Sequence, residues 1–161
     1  MDPRVAVLAE TLRLNTRLFR NCLDGLSDEQ ARLRPSAATN SAAFVAAHLA
    51  HSRFFLLQML GAGRACPLDR YLSGRKGIDD IAEWPSLGLV QDTWTDAAHA
   101  LRDRLAAMTP AELDAQVSSG FPIADKSVLG VLTFLVQHES YHVGQLSLLR
   151  KYAGLAAMSY M

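Results

Sequence analysis

Helical periodicity, punctuated by capping residues and never by strand-like alternation, is what most narrows the folds open to this chain. Asp2-Pro3 is an N-cap followed by proline at the first helical position. From there Val5, Leu8, Leu12, Leu14, Leu18 and Phe19 recur near helical spacing up to Leu23. Ser27 with Gln30 forms a capping box for a short turn that Pro35 ends. A second long helix starts after Asn40 or Ser41 and stops at Gly61, apolar nearly all round. Residues 62 to 85 lack clear periodicity, and a connection this long is functional, mobile, or carries a short helix of its own. A third helix begins near Ser86 and reaches Met108; Thr109-Pro110-Ala111-Glu112 then opens another short turn. After the break at Phe121-Pro122, the last helix runs from about Ser127 to Tyr152. The expected architecture is all-α, a four-helix bundle with short connecting helices, in one domain over residues 1–161.

Charge narrows the function. Lys and Arg number 16, Asp and Glu number 16, and the net charge is zero. No basic run supplies the phosphate-binding face of a nucleic-acid binder, so none is expected as a partner. No stretch approaches the roughly 18 uncharged apolar residues of a membrane span. The N-terminus has no basic region leading into an apolar run, which points to a cytoplasmic protein. Cys22 and Cys66 make no disulfide framework and read as buried or incidental reduced thiols. The tail from Leu155 to Met161 is apolar for a chain end and suits either a partner subunit or the chain's own bundle.

Three histidines carry the chemistry. His138 and His142 are four residues apart, on the same apolar helix face as Val131, Leu135, Gln145 and Leu149. Imidazoles buried without partners are destabilising; core histidines bonded to backbone or water are one solution, and a shared divalent metal is another. A third ligand is available on the second long helix. His48 lies among Ala46, Ala47 and Ala50, on a stripe with Phe44, His51, Phe55 and Met59. His51 is the alternative, although Ser52 and Arg53 beside it suggest an edge position. His99 sits in a polar stretch and reads as an exposed helix residue.

His138-Glu139-Ser140-Tyr141-His142 also spells H-E-x-x-H, in which zinc proteases use the glutamate as general base. The context fails here. Gln145 and Leu148 stand where one extension of that motif needs glycine and histidine, and no Asp or Glu follows Glu139. Glu139 is therefore expected to support the site or face solvent.

Two segments resemble a known family. Asn40 to Leu49, followed by Arg53, is similar to the second-helix motif of the DinB/YfiT-like superfamily, and His138 to Leu146 to its final-helix motif H-x-x-x-H-x-G-Q. The capped turns at Leu26 to Gln30 and Thr109 to Leu113 fit the same pattern. The resemblance implies a four-helix bundle, often homodimeric, with one metal ion (zinc or nickel) on His48, His138 and His142. It further implies chemistry such as transfer to or from a low-molecular-weight thiol.

Three neutral histidines leave a divalent ion with an open position, the arrangement of catalytic rather than structural sites. The expected function is a metal-dependent enzyme acting on a small-molecule substrate, such as a low-molecular-weight-thiol S-transferase. A metal-dependent hydrolase and a non-catalytic, stress-linked module binding metal or a small ligand are the alternatives. Gln145, one turn beyond His142, either reaches a ligand on the metal or is a polar residue covering a helix end. Arg64, Arg70, Arg75 and Lys76, in the connection that also holds Tyr71 and Trp84, would attract an anionic thiol.

Overall fold

The structure is a computed structural model that describes residues 1–75 and 77–161. Among the described residues, seven α-helices follow in order: α1 Pro3–Leu23, α2 Asp28–Arg32, α3 Ala42–Met59, α4 Asp69–Leu72, α5 Leu87–Ala107, α6 Pro110–Asp114 and α7 Val128–Tyr152. A 3₁₀ turn over Ile78–Asp80 sits between α4 and α5. The four long helices have 21, 18, 21 and 25 residues, and each begins at an oxygen-bearing cap. Asp2 accepts from the Arg4 amide, Ser41 from Phe44, Ser86 from Leu89 and Ser127 from Gly130, at 2.9 to 3.2 Å. Gly61, at φ +76°, takes the left-handed conformation that ends α3. Both capping boxes form, at Ser27 with Gln30 and at Thr109 with Glu112.

The packing is a ring. α1 lies against α7 and α5, and α3 lies against the same two helices, so α1 and α3 face each other across the bundle. An apolar centre of Phe19, Leu23, Leu49, Leu57, Leu101, Leu105, Leu132 and Leu146 fills the ring. The long connection, whose outline the sequence left open, carries α4 and the 3₁₀ turn and lies over α3. A single antiparallel bridge, Gln116 to Ser127, closes the segment between α6 and α7. The chain end folds back onto its own bundle: Arg150 donates to Ala156 O at 2.8 Å, and Asn21 on α1 donates to Ser159 O at 2.7 Å. Both cysteines are buried free thiols.

One polar group occupies the middle of this apolar ring. Arg53, on α3, is 2% exposed and touches all three other long helices. Its Nε and Nη2 each donate at 2.8 Å to the Glu139 carboxylate on α7. Nη2 also reaches Leu12 O on α1 at 3.2 Å, and the guanidinium lies 3.3 Å over the Trp94 ring of α5. Trp94 in turn donates to Thr16 O on α1. Arg53 thus lies in the core and marks no edge, a correction to the expectation drawn from its charge.

Candidate metal centre

The face of α7 turned to the core is the row Leu132, Val136, Glu139, Val143 and Leu146. His138 and His142 occupy the adjacent row and are half-buried. They flank the core stripe and are not sealed within it. On α3 the same holds for Phe44, His48 and His51, with Phe55 exposed further along. The two half-buried rows meet at a seam between α3 and α7, where the three histidines gather.

His142 Nε2 lies 3.0 Å from His138 Nε2, which lies 3.4 Å from His48 Nε2. The ring planes cross at 73° to 77°, so the nitrogens point inward and the rings do not stack on one another. Phe44 stacks 6.3 Å from His48, and Phe134, covered by Phe121 from the α6–α7 segment, stacks 6.3 Å from His138. The sequence-derived trio of His48, His138 and His142 is therefore brought together. His51, the alternative to His48, points elsewhere and lies 3.1 Å from Asp69. His99 is exposed on α5.

Gln145 has a different part from the one its spacing suggested. Its Oε1 accepts from His142 Nδ1–H at 2.6 Å, and its Nε2 donates to the Tyr141 hydroxyl at 3.0 Å. A proton fixed on Nδ1 leaves Nε2 with its lone pair aimed at the cluster. Such partners orient ligating imidazoles, so Gln145→Leu is expected to weaken metal binding about 10- to 100-fold. Competition against a chelator of known affinity reads this; an unchanged affinity refutes it.

Burial is the main cause that lowers the His48 pKa from its ordinary 6.5 to about 4, with the charges His142, His138 and His51 would carry adding to it. His138 is lowered for the same first reason, then by His142, against an opposing pull from Glu139. Neutral imidazoles are what a metal requires. In the folded protein without metal, both groups resist protonation that the unfolded chain accepts, so their stabilising contribution is complete above 6.5. It is lost as the pH falls from there, for His48 down toward about 4. Denaturant melts of chelator-treated protein are expected to show falling stability from about pH 7 to pH 5, with a shallower slope in His48→Gln. Identical slopes for the two proteins count against it.

The donor set suits a metal. Among the described residues, the hydrogen-bond contacts of these three Nε2 atoms run only to one another, and a shared proton joins two lone pairs where a cation accepts all three. The three ligand atoms lie within 4.8 Å of one another. The glutamate of H-E-x-x-H takes no part, being turned to the core and held by Nε and Nη2 of Arg53. Sequence reasoning missed that ion pair, although a lone arginine in an apolar helix and a lone acid at core spacing signalled it.

Beside the cluster, a cavity of about 290 Å³ is lined by Phe44, His48, His51, Leu72, Ser73, Gly74 and Arg75. Of the cations expected to gather there, Arg75 does so. Arg64 pairs with Asp96 and Arg70 with Glu83, while Lys76 lies outside the described residues. Tyr71 is buried and Trp84 packs partly against the core.

The family model described as the DinB superfamily matches residues 11–146, most of the chain and all three histidines. No curated protein matches. Among solved structures, a conserved protein from Enterococcus faecalis has a similar fold, with TM-score 0.74, 15% identity, and coverage of 92% of this chain and 96% of that one. A DinB-like protein from Bacillus subtilis gives TM-score 0.68 and 13% identity, covering 95% and 96% of the two chains.

Proposed function

The chain belongs to the DinB superfamily, and on that footing we propose that it is a metal-dependent enzyme. It holds one divalent ion, zinc or nickel, through His48, His138 and His142 and transfers a group to or from a low-molecular-weight thiol. The convergence of three Nε2 atoms with no carboxylate among them carries this reading. Three protein ligands leave a divalent ion with room for a further ligand, and neutral ligands leave its charge uncompensated. Bound there, such an ion favours a thiolate over a thiol and polarises an electrophile.

This chain's own residues do the remaining work. Gln145 and Tyr141 keep the His142 lone pair directed into the cluster. Phe44 and Phe134 back His48 and His138 with apolar surface, which excludes water from that side and strengthens electrostatic interactions at the seam. The cavity beside His48 has the size of a small-molecule pocket and an apolar wall at Phe44 and Leu72. Arg75 at its rim suits the carboxylate that low-molecular-weight thiols commonly carry.

The test is a panel of such thiols, with an electrophilic acceptor, against metal-loaded protein purified without a histidine tag. Turnover that needs both the metal and a thiol is expected. Turnover of esters or amides without thiol supports the hydrolase instead, and tight thiol binding without turnover supports a binding module.

A further inference from the structure

A second group of ligating side chains lies outside the three-histidine cluster. His51 on α3, Cys66 just before α4 and Asp69 at its start place one nitrogen, one sulfur and one carboxylate oxygen within 4.8 Å of one another. His51 Nε2 is 3.1 Å from Asp69 Oδ1. The other carboxylate oxygen accepts from the Cys66 backbone amide at 3.4 Å, and Ser73 Oγ donates to Oδ1 at 3.5 Å. We propose that His51, Cys66 and Asp69 form a second divalent-cation site, selective for zinc-like ions, that fastens the α4 segment to α3.

Three observations carry it. First, the donors are a thiolate, an imidazole and a carboxylate, the ligand types zinc takes in tetrahedral sites with bonds of about 2.0 to 2.3 Å. Such bonds place donors roughly 3.3 to 3.8 Å apart; His51 Nε2 and Asp69 Oδ1 already lie 3.1 Å apart, and all three donors lie within 4.8 Å of one another. Second, the ionised set carries two negative charges that a divalent ion neutralises, unlike the uncharged trio next to it. Third, the loop folds tightly about Cys66: its carbonyl accepts from the Asp69 amide at 3.1 Å and its own amide donates to Asp69 Oδ2 at 3.4 Å. Burial first, with the Asp69 charge adding to it, pushes the Cys66 thiol pKa up, against a smaller opposing pull from the Leu68 and Asp69 backbone. A cation at the sulfur offsets that rise, and the thiol proton leaves to solvent as the metal binds.

The position gives the site a consequence. Ser73, whose hydroxyl reaches Asp69, also lines the cavity next to His48, together with Leu72, Gly74 and Arg75. An ion on His51, Cys66 and Asp69 therefore anchors the segment that forms the outer wall of that cavity.

Cobalt titration of metal-free protein tests it, because cobalt(II) bound to a thiolate gives a near-ultraviolet charge-transfer band that imidazole ligands do not. The expected result is two equivalents bound, with that band. In Cys66→Ser the band and one equivalent disappear, and in His142→Ala the band stays. The test is therefore independent of the three-histidine site. If Cys66→Ser does not fold, Asp69→Asn serves, with about 10-fold or greater weakening of the band-forming step expected. Absence of the band from the native chain, its survival in Cys66→Ser, or unchanged cobalt affinity in Asp69→Asn overturns the proposal.

Discussion

His142→Ala is expected to remove one equivalent of metal and, with it, any metal-dependent turnover, while leaving the helical content unchanged. His142 is central to the trio: its ring centroid lies 4.4 Å from that of His138 and 4.9 Å from that of His48. Structural zinc sites hold their ion by about 10 to 16 kcal/mol over four ligands, so loss of one ligand weakens binding roughly a hundredfold or more. The fold survives because the ring is half-buried, beside the core stripe rather than within it. Thermal melts provide a second readout. Metal at about a hundred times its Kd stabilises the native chain by about 2.7 kcal/mol, and that increment is expected to vanish in His142→Ala. The exposed His99, changed to alanine, is the control and should behave as the native protein. A native chain that melts at the same temperature with and without added zinc or nickel would sink the site.

The second large effect concerns Arg53 and Glu139. Arg53→Ala leaves the Glu139 carboxylate buried without its two donors, and Glu139→Ala leaves the guanidinium without its counter-charge, with only Leu12 O still accepting from it. Breaking a buried pair from one side costs about 3 to 5 kcal/mol. For a chain of this size that lowers Tm by about 10 °C or more. Replacing both partners with apolar residues of similar volume, Arg53→Met with Glu139→Leu, should recover much of the loss, since no buried charge is left unpaired. A drop within about 1 °C in both single variants would show that the pair does not hold the bundle together. The double variant should also keep its metal. The stability lost in Glu139→Ala is what separates Glu139 from the protease reading, in which the same residue would be indispensable to chemistry and indifferent to folding.

Local physics made the helices legible in advance. Asp2 was legible as a cap, and the starts placed near Ser41, Ser86 and Ser127 prove to be caps as well, each side-chain oxygen accepting a first-turn amide. The two short capped turns were equally local signals, each carried by residues three apart. His138 and His142 shared a face by spacing alone. His48 could not be chosen over His51 by periodicity, because three residues is less than one helical turn and both lie on one stripe of α3. The rotation of α3 against α7 decides it, and that rotation is a tertiary fact.

What stayed hidden was chemistry assembled from distant parts of the chain. Arg53 and Glu139 are 86 residues apart. In isolation each looks like a surface charge; only across the bundle do they complete each other. Cys66 and Asp69 lay in the stretch without periodicity, and nothing local tied them to His51. The role of Gln145 stayed open for a subtler reason. Spacing placed it one turn from His142, but not on which ring nitrogen its carbonyl would settle.

The row of histidines beside the core stripe has an evolutionary consequence. In α7, neighbouring residues answer to different masters: Glu139, Val143 and Leu146 to the bundle, His138 and His142 to the seam. Substitutions along the seam change what the chain binds without reopening the packing that folds it. A lineage can therefore exchange ligands, metal and substrate one residue at a time while the scaffold is inherited intact. Such a division leaves the shape conserved where the sequence is not, and this fold recurs in solved structures at 13% to 15% identity.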